Sequence, residues 1–167
     1  MTREAPKPIL SVRKNFADVS FSCQIKSIFY DTSSNPEVRM VDWNEYKAIA
    51  KDRGALALEL FVAVSTPQKS AEEVKAVLPD HLAYIQSLEV SGDLVMAGPL
   101  SDETGAEMQG AGMLVLRAES MESARALAAN DPMHSTGARS FTLRRWLVNE
   151  GRLSVSLGLS TGNVALS

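Results

Sequence analysis

Apolar positions recur along this chain in runs that alternate between strand-like and helix-like spacing, and their order outlines a fold. Ala55–Ser65 is rich in Leu, Val and Phe and predicts a strand. Ser70-Ala71-Glu72-Glu73 has capping-box spacing and opens a helical stretch to about Glu89, with Val74, Val77, Leu78, Leu82, Ile85 and Leu88 on its apolar face. Pro79 lies inside that stretch and is expected to break or kink it near the middle, because proline lacks an N–H and its ring crowds the preceding turn. Ser91-Gly92-Asp93 turns the chain into a short strand, Leu94–Ala97, ending at Gly98-Pro99. A polar loop, Ser101–Gln109, leads to a third strand, Ala111–Ala118. Ser120 caps a short helix with an alanine-rich face of Ala124, Leu127 and Ala128. Asp131-Pro132 ends it, a brief turn reaches Gly137, and a fourth strand runs through Leu147. The order β, α, β, β, α, β predicts an α+β, ferredoxin-like subunit. Helices cover one face of such a sheet, so the other must find a partner, and homodimerisation is the common solution.

The flanks differ from this central stretch. Residues 1–53 hold 9 Lys/Arg against 7 Asp/Glu, and the remainder holds 8 against 13, so a mildly basic N-terminal part precedes an acidic one. Alternation in Val19–Ile25 and in Ile28-Phe29-Tyr30 predicts one or two short strands, and Thr32–Pro36 a loop. Asp42-Trp43-Asn44-Glu45 has capping-box spacing, Trp43, Tyr46 and Ala50 follow at helical intervals, and Gly54 is a C-terminal stop. These patterns predict a structured extension over residues 1–53, the central domain over 54–147 and a tail over 148–167. Within the tail, Arg152–Leu157 alternates strictly and predicts a short strand with no place in a four-stranded core. It either adds to a sheet edge or reaches a second subunit.

Composition narrows the function without naming one. Across 167 residues, 45% hydrophobic and 22% charged is ordinary globular composition. No apolar run approaches the roughly 20 residues that span a bilayer, and no basic segment followed by an apolar one opens the chain. These features predict a soluble, cytoplasmic protein with no membrane partner. The net charge of -3 and the lack of any Lys/Arg cluster beyond a pair argue against nucleic acid as a partner. The single cysteine, Cys23, excludes an intrachain disulfide and a cysteine-based zinc cluster.

Few side chains suited to chemistry remain. His81 sits on the long helix in Pro79-Asp80-His81-Leu82-Ala83-Tyr84-Ile85, and imidazole takes and returns a proton near neutral pH. The plainer reading is a half-buried histidine bonded to a backbone carbonyl. Asp131 ends a helix, where a carboxylate gains nothing from the macrodipole. It either caps the following turn, with Pro132 in the first helical position, or serves a site. His134, three residues on, shares that site or lies on the surface of a turn. Gly98-Pro99 allows close backbone approach to a ligand but is, alone, a turn signal. Gly110-Ala111-Gly112 precedes a strand rather than a helix, so it is no dinucleotide fingerprint. Tyr84 and Ser87 fall near His81 by helical spacing. A metal site on His81, His134 and Asp131 would rest on sequence proximity alone for two of its ligands.

Taken together, these pieces resemble the YCII-related family over about residues 55–147. The resemblance is carried by the strand Leu58–Val64, Asp80-His81-Leu82-Ala83-Tyr84-Ile85, Leu94–Leu100 with its Ala-Gly-Pro, Gly112–Leu116, Ser120–Asn130, Asp131-Pro132 and the strand to Trp146. It implies a ferredoxin-like subunit that pairs into a dimeric α/β barrel. It also implies a pocket in which His81 and Asp131 form a dyad for proton transfer, with Gly98, Pro99, Tyr84, Ser87 and His134 as candidate substrate contacts. Family members with an assigned activity suggest lyase or isomerase chemistry, such as dehydrochlorination of a chlorinated hydroxyhydroquinone. Related dimeric barrels act as lactone isomerases and cofactor-free oxygenases. The expected protein is a small enzyme acting on a cyclic or aromatic molecule, needing no metal or organic cofactor, and assembled as a homodimer or higher homo-oligomer. The alternative is a non-catalytic ligand-binding or protein-interaction module on the same barrel.

Overall fold

The computed structural model describes residues 40–166. The elements expected at Val19–Ile25, Ile28–Tyr30 and Thr32–Pro36 lie outside the described residues. Helix α1, Trp43–Asp52, begins where the Asp42 carboxylate accepts the N–H groups of Asn44 (2.8 Å) and Glu45 (3.2 Å). Gly54, at φ 82°, ends it: its N–H reaches the Lys51 carbonyl and the Ala55 N–H reaches that of Ala50, a Schellman pair. The chain divides within this helix into units Met1–Tyr46 and Lys47–Ser167, and the second carries the sheet.

Strands β1 (Leu58–Pro67), β2 (Leu94–Pro99), β3 (Gly112–Leu116) and β4 (Arg139–Val148) form one antiparallel sheet in the order β2-β3-β1-β4. With helix α2 (Ala71–Ser91) after β1 and α3 (Met121–Asn130) after β3, this is the ferredoxin-like βαββαβ arrangement. Strand β1 starts three residues later than the apolar run suggests. Ala55 is used in closing α1, and Ala57 sits at φ 47°, outside the extended region. Strand β3 ends at Leu116, and the Arg117 N–H donates to the Asp93 carbonyl, 2.7 Å off, beside the start of β2.

The helices cover one sheet face. Phe61, Ala63, Leu114, Leu116 and Leu143 point from it to meet Leu88 of α2 and Ala124 and Ala128 of α3. Small residues on α3 let that helix approach closely, which accounts for its alanine-rich stripe. Ser70 and Ser120 each make a capping box, with Glu73 and Ser123 respectively. In one respect the fold departs from expectation: Pro79 does not break α2, which continues to Ser91 and ends at Gly92 in the left-handed region. Core packing of Ile85 and Leu88 on the C-terminal side of Pro79, with the cap at Ser70 on its N-terminal side, outweighs one missing hydrogen bond. The opposite sheet face carries Leu58, Met96 and Trp146 in exposed positions and Val62, Val64 and Met113 half-buried, while Leu60 and Val115 on that face are buried.

The tail forms a separate two-stranded sheet, β5 (Val155–Leu157) with β6 (Val164–Leu166), paired Val155↔Leu166 and Leu157↔Val164. Among the described residues no helix is long and apolar enough to cross a membrane.

Candidate functional site

Between α2, the β2–β3 side of the sheet and the loop before β3 lies a cavity of about 830 Å³. Its walls are mainly apolar and include Leu78, Leu82 and Ile85 of α2 and Met133 of the short helix α4 (Pro132–Ser135). The loop wall is held by Asp102, whose carboxylate accepts from Thr104 Oγ1 (2.6 Å) and from the N–H groups of Ala106 and Glu107 (each 3.1 Å). Those hydrogen bonds, the Thr104 hydroxyl first, keep the Asp102 carboxyl below its ordinary pKa.

His81 lines this cavity, and Asp131 stands behind it with no exposed surface. The imidazole Nδ1 lies 2.9 Å from Asp131 Oδ1 and 2.8 Å from Oδ2. A carboxylate only accepts, so Nδ1 carries the proton and Nε2 is left without a protein partner among the described residues. Asp131 is pinned in turn by the Met133 N–H, 2.9 Å from Oδ1, as N-cap of α4 with Pro132 in the first turn. Its structural role as a cap and its bond to His81 therefore coexist in one side chain.

The other candidates separate into cavity-lining and remote groups. Gly98 and Pro99 line the cavity at the end of β2. Tyr84 and Ser87 do not line it. The helix turns about 100° per residue, so they lie about 60° and 120° from His81 in one sense, and Ile85, Leu78 and Leu82 about 40–100° in the other. Tyr84 instead packs against the core and donates its hydroxyl to the Leu127 carbonyl at 2.9 Å. Burial first, then the charges of Asp131 and Asp93, pushes its phenol pKa up. Ser87 returns its hydroxyl to the Tyr84 carbonyl at 2.6 Å on the exposed side.

His134 is neither on the cavity wall nor on the surface of a turn. It is half-buried against Phe141, ring centroids 4.7 Å apart, with Nδ1 2.6 Å from the Ala128 carbonyl and Nε2 2.8 Å from Ser65 Oγ. The first turn of α4 aims it inward, which the proximity of His134 to Asp131 in sequence does not reveal.

Sequence reasoning missed Ser65 and Arg139. Ser65 is buried on the helix-facing side of β1 and lines the cavity with Arg139 of β4. Arg139 donates from Nε to Ser65 Oγ (2.8 Å) and from Nη2 to the Ser65 carbonyl (2.9 Å) and the Gly110 carbonyl. Burial pulls its pKa down, opposed by the charge of Asp131. A polar Ser65 at the inward position of an otherwise apolar alternation was the available signal.

The YCII-related domain family matches residues 59–147. An uncharacterized protein of Bacillus subtilis (strain 168), YjpA, is 32% identical over 66 residues, which is 40% of this chain and 71% of YjpA. Among solved structures, 5-chloro-2-hydroxyhydroquinone dehydrochlorinase (TftG) from Burkholderia phenoliruptrix AC1100, in complex with 2,5-dihydroxybenzoquinone, superposes with a TM-score of 0.41. The two are 23% identical, and the match covers 52% of this chain and 92% of that one.

Proposed function

This chain belongs to the YCII-related family, and from that premise we propose that it is a small enzyme of the lyase or isomerase type, with His81 as general acid/base. The observation that carries the reading is the pairing of His81 Nδ1 with a fully buried carboxylate at the wall of a largely apolar cavity. Asp131 holds the tautomer that presents Nε2 and stabilises the imidazolium formed when Nε2 takes a proton. An acidic C–H or O–H of a cyclic or aromatic substrate supplies that proton, and the same nitrogen returns it at a second position. Such catalysis contributes about 10²–10⁴ in rate. Orientation by the cavity walls supplies further acceleration. The subunits pair through the open sheet face, closing a dimeric barrel.

Thermal-shift measurements on wild type and His81→Ala, against small aromatic, quinoid and lactone acids, test the proposal. A ligand at about 100 times its dissociation constant adds roughly 2.7 kcal/mol to stability. Compounds that stabilise wild type are then assayed for turnover, which is expected to fall at least about 100-fold in His81→Ala. Equal turnover in the two proteins would refute the acid/base role. Binding without turnover would favour the second use of the same cavity, as a ligand-binding module.

A further inference from the structure

The charges lining the cavity have one sign. Lys69, Lys75 and Arg139 line it, and no aspartate or glutamate does among the described residues, in a chain whose net charge is -3. Arg139 is the half-buried one of the three, and its surroundings are specific. Its Nε–H goes to Ser65 Oγ, and Nη2 serves the carbonyls of Ser65 and Gly110. A guanidinium has five N–H donors, and that set accounts for three. The two on Nη1 have no partner among the described residues. The acceptors already bound are neutral, so they orient the cation without neutralising it.

Asp131 acts on Arg139 from a distance, but its oxygens are engaged by His81 and the Met133 N–H. The position of Ser65 is set from behind. His134 Nδ1 faces a carbonyl and must donate to it, so in the neutral imidazole Nε2 accepts the Ser65 hydroxyl proton. Ser65 Oγ is then left to accept from Arg139. A partly desolvated cation, held rigidly by neutral groups in an apolar cavity, is stabilised by an incoming anion.

We infer that Arg139 is the anion anchor of this cavity, positioned by Ser65, His134 and Gly110, and that the ligand is a small organic acid. Its carboxylate or ionised hydroxyl sits on the Nη1 edge of Arg139, and its ring or chain lies against Leu82, Ile85 and Met133. Exposed Lys69 and Lys75 attract the acid without holding it. This inference rests on the cavity being a small-molecule site, as proposed above.

Calorimetric titration of the full chain at fixed ionic strength and near-neutral pH tests it. The probes are benzoate, 2-hydroxybenzoate and cyclohexanecarboxylate, each beside its primary amide. In wild type each acid is expected to bind at least about tenfold tighter than its amide, the scale of a charge-assisted hydrogen bond. Arg139→Gln is expected to bring that ratio near one with little change in amide affinity. If Arg139→Gln does not fold, Arg139→Lys carries the test: it keeps the charge but loses the fork, and the ratio is expected to drop by about threefold. A ratio near one in wild type, or one unchanged in the Arg139 variants, would overturn the anchor. Amides that bind as well as acids sink the anchor alone, whereas failure of all six probes to bind wild type overturns the small-molecule reading with it.

Discussion

Asp131 closes the alanine-rich α3, caps α4 through the Met133 N–H and holds His81 by Nδ1, all from a side chain with no solvent exposure. In the sequence its two readings, cap and site residue, competed; in the fold the cap and the contact with His81 come from the same carboxylate. Gly110 is a second residue with a double role. Its φ of 86° belongs to the left-handed region, and an added Cβ would lie 3.0 Å from Pro67 Cγ. Its carbonyl also receives Arg139. Gly110→Ala is therefore expected to cost about 1–2 kcal/mol for the backbone conformation alone. Gly98→Ala, where a Cβ meets nothing within 4 Å and φ is negative, is expected to stay within about 0.5 kcal/mol of wild type. Urea denaturation of the two variants distinguishes them, and equal stabilities would contradict the account of Gly110.

Element by element, the alternation of strands and helices was legible wherever a cap or a turn accompanied an apolar run. Ser70 with Glu73 and Ser120 marked helix starts, and Gly54 and Gly92 marked stops, because orphan backbone groups at helix ends demand particular side chains or conformations. The break expected at Pro79 does not occur: that reading weighed local chemistry alone. A proline in mid-helix removes a donor to the Lys75 carbonyl, yet the 21 residues of α2 remain one helix. The local cost persists even so. Pro79→Ala is expected to stabilise the protein by about 1–3 kcal/mol and raise the thermal midpoint. A lower midpoint in calorimetry would show that Pro79 contributes something beyond the helix. On the same helix, Tyr84 and Ser87 miss the cavity because helical spacing sets which side of His81 they occupy but not which side faces the cavity.

At the scale of the molecule, one sheet face is covered by helices and the other displays Trp146 and Met96. Exposed apolar surface of this kind marks association. Light scattering is expected to give a dimer for wild type, and Trp146→Glu is expected to raise the monomer fraction at micromolar concentration, as a charge buried in an apolar interface carries a large desolvation cost. A monomeric wild type would rule out the barrel. The amino-acid order by itself determined the succession βαββαβ, its caps, and the residue types available for proton transfer, because hydrophobic period and helix-end chemistry are local properties. Only the tertiary structure decided which of those residues meet. His81 and Asp131 are 50 residues apart, and Ser65 and Arg139 are 74 apart. Their encounters follow from strand register and from the rotation of α2 and α4 against the sheet, which the packing of the whole core sets and no segment encodes alone.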